Sequence, residues 1–353
     1  MRPIGSACRA IAVGGALLVS GALADQAAAA DPEFTLRVQT YLSAESIAGR
    51  EAQAFFDDVE VMSGGRIKFE PFFSAAVVKS VETFDAAMNG ILDVDMSTST
   101  YQVGKDTAFQ FIGDPMGGYD NTWQLYAFFY EDKGMELAQK LHDEYGMHFV
   151  GWWIQGPESL ASTRPLAGPD DVQNWKFRSP PGMLTLIFSN LGAQPIVMDF
   201  TEAFTALESG IIDGTDAATI STNQSLGIYD IAKHTNYPGF HSLPAEHFTV
   251  RQDVWDSLPE DLQRIIEVGI QKLAFRVTLA YEVDNKRAAR ELAEQGVTMY
   301  DWSTEDRRAF REAALKGWEE FADTDAAKEL VAAHKAFQRK INLIGDETAP
   351  KAD

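Results

Sequence analysis

The chain has 353 residues, of which 45% are hydrophobic and 23% charged, and its formal net charge is -22 at pH 7. This length allows a large buried core and predicts two lobes. The negative field repels nucleic acid and anionic membrane surfaces, and it also opposes an anionic ligand at long range. Any anion site must therefore depend on local positive groups.

Residues 1–30 are typical of a secretory signal peptide. A basic start at Arg2 and Arg9 is followed by an apolar run and then by four alanines ending at Ala30. We expect cleavage near Ala30, and the apolar run is too short for a stable membrane span. Cys8, the only cysteine, would leave with the signal, so the mature chain is expected to fold without a disulfide.

The mature chain begins with a β-α-β pattern. Alternating residues predict a strand over 34–41, an amphipathic helix over 44–62 and a second strand over 66–69. Residues 148–154 form a near-continuous apolar run, which predicts a strand buried on both faces. These elements indicate an α/β fold with mostly parallel sheets.

Two segments share one pattern, residues 84–93 and residues 204–213. In both, Phe, Ala, Gly, Ile and Asp recur at equal spacing, which predicts a packed helix, a glycine cap and a buried strand. Polar residues follow each copy, with Tyr101 after the first and Asp216 after the second. The repeat predicts two similar lobes that share a cleft. The alternative is that helix–glycine–strand is a common local pattern that does not indicate repeated lobes.

Arg178 is the first candidate for a ligand-binding residue. Residues 175–177 predict a short strand, and Pro180 with Pro181 prevents its continuation, so Arg178 would be the last side chain of the strand. Ligands of open α/β sheets bind where the strands end, and a guanidinium matches a carboxylate or sulfonate. The alternative is a structural arginine paired with one of many acidic residues.

Catalytic motifs are absent from the sequence. It contains no G-x-G-x-x-G, P-loop, H-E-x-x-H or G-x-S-x-G pattern. His241 and His247 flank Glu246, but their spacing fits no standard metal site. We therefore expect neither an enzyme, nor a cofactor, nor a metal.

The later half of the chain predicts a long helix over 261–295. The run Ser257-Leu258-Pro259-Glu260 before it predicts a capping box with proline near the first helical turn. A second serine, Ser303, predicts the start of another helix.

Six short stretches of the mature chain stand in a fixed order: residues 63–67, 101–106, 176–178, 191–195, 206–214 and 258–263. Through them, and over nearly its whole length, the mature chain resembles the periplasmic solute-binding subunits of tripartite (TRAP-type) secondary transporters. The resemblance implies two α/β lobes bridged by a long helix that close on a small organic anion. It also implies a periplasmic location and integral membrane subunits as partners.

The expected domain organisation follows from this resemblance. It comprises a signal peptide (1–30), a first lobe (31–154, to which part of 245–295 returns), a second lobe (155–244), a bridging helical segment (258–295), C-terminal helices (296–345) and a polar tail (346–353).

Within the family, residues 101–106 and 237–240 are most similar to the branch that binds 2-oxoacids and lactate. Arg178 matches the family's carboxylate-binding arginine, and Tyr101 would help to hold the acid. That branch can also hold a metal at positions that here are Asp216, Ala217 and Ser242, of which only the first is an acid. This departure again argues against a metal.

The expected ligand site combines polar and apolar side chains. Its polar members are Arg178, Tyr101, Gln155, Glu158, Asp216 and Asn223, and its apolar candidates are Trp152, Trp153 and Phe240. We expect a receptor for a small monoanion, such as a 2-oxo or 2-hydroxy acid. Glu158 keeps open a zwitterionic amino acid or amino-sulfonate as the ligand. A binding protein of an ATP-driven importer and, with less support, a secreted enzyme are the remaining alternatives.

Overall fold

The structure is a computed structural model that describes residues 31–180, 182–198 and 202–345. The predicted signal peptide and the polar tail therefore lie outside the described residues, as does Pro181. No helix in these ranges is long and apolar enough to cross a membrane.

The strands of the described ranges, in chain order, are β1 (Phe34–Gln39), β2 (Ile67–Phe72), β3 (Val94–Asp95), β4 (Met147–Ile154), β5 (Ser159–Ser162), β6 (Lys176–Ser179), β7 (Gln194–Val197), β8 (Gly214–Ala218), β9 (His234–Asn236), β10 (Ala245–Arg251) and β11 (Thr298–Tyr300). The helices are α1 (Ile47–Met62), α2 (Thr83–Met88), α3 (Ala108–Gly113), α4 (Thr122–Glu131), α5 (Gly134–Asp143), α6 (Met183–Asn190), α7 (Ala203–Glu208), α8 (Ile220–Ser225), α9 (Ile228–Ile231), α10 (Gln252–Ser257), α11 (Glu260–Glu294), α12 (Thr304–Phe321) and α13 (Asp325–Lys340).

These strands form two sheets. The first sheet has the order β2-β1-β3-β10-β4, and the second has the order β11-β9-β5-β8-β6-β7. In each sheet one strand runs against all the others, β10 in the first and β5 in the second. The sheets are therefore mixed, with one reversed strand each in an otherwise parallel arrangement.

Each reversed strand comes directly after a segment in which the chain crosses from one sheet to the other. The first crossover, residues 155–158, leaves β4 and enters β5, and the second crossover, residues 237–244, leaves β9 and enters β10. Because β5 and β10 are reversed, each begins at the carboxyl edge of its sheet. Both crossovers therefore lie at the carboxyl edges, where α/β sheets bind ligands.

The predicted repeat corresponds to equivalent parts of the two sheets. Helix α2 precedes Gly90 and β3, and helix α7 precedes Gly210 and β8. The two glycines have φ values of 74° and 71°, the left-handed conformation that favours glycine at a helix end. Strands β3 and β8 each lie beside the reversed strand of their sheet, so the two halves share one strand order.

Helix α11 has 35 residues, which gives a length of about 50 Å. Its first half packs on the first sheet, where Ile270 lies against Gly151. Its second half reaches α8, where the Ser221 hydroxyl donates to Asn285 Oδ1 at 2.7 Å. One continuous helix therefore contacts elements of both sheets.

The predicted capping box at the start of α11 is wrong. The Ser257 hydroxyl donates to the Val254 carbonyl at 2.7 Å within α10, and Pro259 occupies the position before the first helical residue without a side-chain cap. The short helix α10 ends at this serine, which is why it does not cap α11. The cap predicted at Ser303 is confirmed, because its hydroxyl accepts from Asp306 N at 3.1 Å.

Candidate functional site

Arg178 lies in β6, at the carboxyl edge of the second sheet, and only 7% of its surface is exposed. The strand continues through Ser179, one residue further than predicted. Its guanidinium donates from Nε to the Met198 carbonyl at 3.2 Å and from Nη1 to the Asp216 carbonyl at 2.7 Å. Because these carbonyls follow β7 and lie within β8, the neighbouring strands fix the plane of the guanidinium at the edge.

Carboxyl groups surround this position. Asp216 lies in β8, and its Oδ1 is 2.7 Å from His241 Nε2 on the second crossover. Glu158, on the first crossover, approaches Ser242 Oγ at 2.8 Å. The backbone N–H of Glu158 also donates to the Ser242 carbonyl at 3.1 Å, so the two crossovers run side by side at the site.

The Ser242 hydroxyl lies between two carboxyl groups. Its Oγ is 2.8 Å from Glu158 Oε2 and 2.7 Å from Asp114 Oδ2, yet a hydroxyl has one hydrogen to donate. Both contacts are hydrogen bonds only when one of the two carboxyl groups carries a proton and donates it to Oγ. The site is therefore less negative than its residue types suggest.

The pKa values of these acids agree with a shared proton. Burial raises the pKa of Asp114 to about 7. Burial, followed by the charges of Asp216 and Asp114, raises the pKa of Glu158 well above its usual range. Both shifts favour the neutral form near Arg178.

Some of the same residues have side chains that can coordinate a metal ion. Glu158, Asp216 and His241 each place one potential ligand atom within 4.8 Å of the others. However, the atoms of Asp216 and His241 already form a hydrogen bond, and Ser242 stands where the resembled branch has a metal-binding glutamate. The absence of a metal from these residues therefore stays a prediction.

The carboxyl edge of the first sheet carries a second polar cluster. Glu246, in β10, accepts at Oε1 from the Tyr41 hydroxyl at 2.6 Å and from Gln155 Nε2 at 2.9 Å. The ring of Tyr101 lies edge-on to the ring of Tyr41, with their centroids 6.3 Å apart. Trp153 is the register partner of Glu246 across β4 and β10. The structure thus brings Tyr101, Gln155 and Trp153 together at one edge.

The family of the chain follows from its similarity to known proteins. A model described as "Bacterial extracellular solute-binding protein, family 7" matches residues 38–325. The chain belongs to this family. It is a TRAP-type periplasmic solute-binding protein, so the predicted family and the predicted two-lobe α/β fold are confirmed.

Two curated relatives illustrate the range of this family. One is a monocarboxylate 2-oxoacid-binding periplasmic protein of Nostoc sp., 26% identical over 86% of this chain and 81% of the relative. Another is a C4-dicarboxylate-binding periplasmic protein of Rhodobacter capsulatus, 24% identical over 88% of this chain and 92% of the relative.

Two solved structures of this family show the same fold. A TRAP periplasmic solute-binding protein of Rhodobacter sphaeroides, in an apo open form, is 29% identical, with a TM-score of 0.78 over 88% of this chain and 100% of that one. One from Pseudoalteromonas atlantica, with bound sodium and pyruvate, is 25% identical, with a TM-score of 0.77 over 88% of this chain and 95% of that one.

Three expected site residues of this solute-binding protein make packing contacts. Asn223 is fully buried, and its Nδ2 donates to the Ser159 and Ala218 carbonyls, both at 3.0 Å, which ties β5 to β8. Phe240 packs on Trp302 with ring centroids 4.4 Å apart. Trp152 stacks on Phe129 with centroids 3.8 Å apart. Their roles in ligand binding stay predictions.

The predicted ligand site lacks four residues of the two clusters, namely Tyr41, Asp114, Ser242 and Glu246. The sequence places Glu246 between His241 and His247, but the two histidines contact different aspartates. His241 contacts Asp216, whereas His247 Nε2 lies 2.7 Å from Asp95 Oδ2. The position of Tyr41 as the last residue of the strand predicted over 34–41 was the available signal, because side chains at strand ends collect at the edge.

Proposed function

We propose that this solute-binding protein captures a small organic monoanion, a carboxylate or a sulfonate, by means of Arg178 and delivers it to the integral membrane subunits of its transporter. The single observation that supports this most is the position of Arg178. A buried guanidinium at the carboxyl edge, beside both crossovers, provides the local positive charge that an anion requires in a protein of net charge -22.

The geometry of the guanidinium favours a planar acid group. Its two bonds to backbone carbonyls hold the plane in place, so little side-chain entropy is lost when an acid group binds. Hydrogen bonds of this charged kind contribute roughly 1.5–3 kcal/mol each. The Arg178 guanidinium is therefore held in one orientation before an anion binds.

The protonation of the neighbouring acids supports a monoanion. A proton shared through Ser242 lowers the repulsion that Glu158 and Asp114 would otherwise exert on an acid group at Arg178. A ligand held between the two carboxyl edges makes contacts with both sheets only when the edges are close. Such contacts favour a closed state over an open one.

The relatives agree with an acid ligand. The Nostoc protein is named for monocarboxylate 2-oxoacids, and the structure from Pseudoalteromonas atlantica holds pyruvate. We extend to this chain only what these ligands share, which is a small size and an acid group.

The test is the substitution Arg178→Ala, with binding followed by ligand-induced thermal stabilisation and by calorimetry. Removing the guanidinium from a closed cleft costs about 2–5 kcal/mol, so Kd should rise roughly 30-fold or more and the stabilisation should vanish.

Arg164→Ala is the matched control. Arg164 also donates to two backbone carbonyls, those of Asp171 and Gln173, but it follows the carboxyl end of the reversed strand β5 and so lies at the opposite edge of the same sheet. Its substitution should leave Kd unchanged. Equal affinities of wild type and Arg178→Ala for the acid ligand would show that Arg178 does not bind it.

A further inference from the structure

Glu246 has one oxygen without a partner. Only 4% of this residue is exposed, and its Oε1 is held by Tyr41 and Gln155. Its Oε2 is buried and has no hydrogen-bond partner among the residues that the structure describes. Leaving a buried acceptor without a partner is unfavourable, so a ligand donor placed at this oxygen would be stabilised.

An unpartnered donor lies beside this acceptor. Trp153 is fully buried, and its Nε1 likewise lacks a hydrogen-bond partner within the described ranges. Trp153 and Glu246 are directly opposite in the antiparallel register of β4 and β10. Directly opposite residues share one face of a sheet, with Cβ atoms about 5 Å apart. A donor and an acceptor, both unused, are thus neighbours.

The residues around Glu246 and Trp153 lie between this pair and both the solvent and the Arg178 site. Tyr41 and Gln155 are partly exposed, and Tyr101 is 37% exposed, so the cluster around the buried Glu246 extends to the protein surface at the carboxyl edge. Gln155, which donates to Glu246, and Glu158, which contacts Ser242, are three residues apart on the first crossover. The two clusters therefore adjoin along this crossover.

We propose that Glu246 and Trp153 recognise a hydroxyl group of the ligand, at the end remote from the acid group that Arg178 binds. The hydroxyl donates to Glu246 Oε2 and accepts from Trp153 Nε1. An oxo group only accepts and an ammonium group only donates, whereas a hydroxyl does both. The ligand class is a small hydroxy acid, and this assignment depends on the proposed function for its acid end.

Burial supports this reading of Glu246. It raises the pKa of Glu246 to about 7, which shows how poorly the Tyr41 and Gln155 donors compensate the buried charge. A ligand hydroxyl would supply the missing donor.

Two substitutions distinguish recognition of a ligand hydroxyl by Glu246 and Trp153 from a purely structural role of these residues. In Glu246→Gln the Tyr41 and Gln155 donors hold the amide oxygen, so the amide NH2 takes the place of Oε2. The edge then presents two donors, which favours an oxo group over a hydroxyl. Trp153→Phe removes the Nε1 donor and keeps an aromatic ring, and an exposed Glu136→Gln on α5 serves as the matched control.

The experiment is calorimetric titration of butyrate, its three monohydroxy forms, and the matching oxo and amino forms. In wild type, at least one hydroxy acid should bind about ten-fold or more tightly than its unsubstituted, oxo and amino counterparts. Glu246→Gln should abolish that preference and favour the oxo form. Trp153→Phe should weaken the hydroxy and oxo forms, which both accept from Nε1, and leave the amino and unsubstituted forms unchanged. Glu136→Gln should match wild type. The melting temperature of each ligand-free variant checks its folding.

Three results would overturn the assignment: no preference for a hydroxy form in wild type, a preference that persists in both variants, or a stronger preference for an amino form. Failure of the proposed function is distinct, because then no acid of the panel binds or Arg178→Ala binds them as wild type does. In the case proposed here, Arg178→Ala weakens all acids, whereas Glu246→Gln changes only their ranking.

Discussion

At the scale of single residues, the site combines one arginine with acids whose charges are partly neutralised. Arg178 is held by carbonyls of neighbouring strands, while Glu158 and Asp114 meet at one serine hydroxyl. Full ionisation of both acids would place two negative charges against a single donor. The protonation of these carboxyl groups therefore affects both the stability of the site and its acceptance of an anion.

Asp114→Asn tests this protonation. Because the folded pKa of Asp114 is raised from 3.8 to about 7, its contribution to stability is fully present below its unfolded pKa and is lost as pH rises through the folded value. The variant should therefore gain free energy of unfolding relative to wild type between pH 5 and pH 8, by roughly 1–3 kcal/mol.

Urea unfolding of both proteins at several pH values measures this difference. Asp57→Asn, on the exposed face of α1, controls for removal of an acid elsewhere. A constant difference between Asp114→Asn and wild type across this range would contradict the proposed protonation.

At the scale of elements, the close contact of the two crossovers determines where the carboxyl edges lie. Gly239, on the second crossover, is so close to the first that an added Cβ would lie 1.8 Å from the Glu158 carbonyl oxygen. That neighbour is backbone, which cannot move aside as a flexible side chain can. The glycine is therefore required for the two crossovers to run side by side.

Gly239→Ala should destabilise the protein by about 1–3 kcal/mol and weaken ligand binding, because the crossovers must separate to admit the methyl group. Urea unfolding and calorimetry measure the two effects. Gly104→Ala is the matched control, since no atom lies within 4 Å of the added methyl group there. Wild-type stability in Gly239→Ala would show that the crossovers are not in contact.

The elements that the sequence predicted well are those with strong local patterns. Helix α11 (Glu260–Glu294) differs by one residue at each end from the helix predicted over 261–295, because Pro259 precedes it and Gly296 follows it. Strand β2 extends past the predicted end to Phe72, because an edge strand tolerates Pro71. The reversed strands β5 and β10 were not predicted, since β5 has only four residues and β10 carries charged and polar residues among its apolar ones without a clear alternation.

The missed site residues depend on contacts between distant parts of the chain. Tyr41 and Glu246 are 205 residues apart, and Asp114 and Ser242 are 128 residues apart. Local patterns carry no information on such pairs. The position of Arg178 near the end of a strand could be predicted because the prolines after it are visible locally.

At the scale of the whole molecule, two sheets of equivalent strand order meet at their carboxyl edges, and helix α11 contacts elements of both. Arg178 and Asp216 come from the second sheet, whereas Tyr41 and Glu246 come from the first. Under the two proposals above, the two edges hold opposite ends of one small acid. The overall negative charge opposes its approach, so binding should depend on groups at the edges themselves.

The most direct test of the central claim is a crystal structure of the protein with its best-binding acid. We predict that the acid group of the ligand is hydrogen-bonded to the Arg178 guanidinium, between the carboxyl edges of the two sheets and beside both crossovers. An acid group bound elsewhere, with Arg178 making only its protein contacts, would contradict the account.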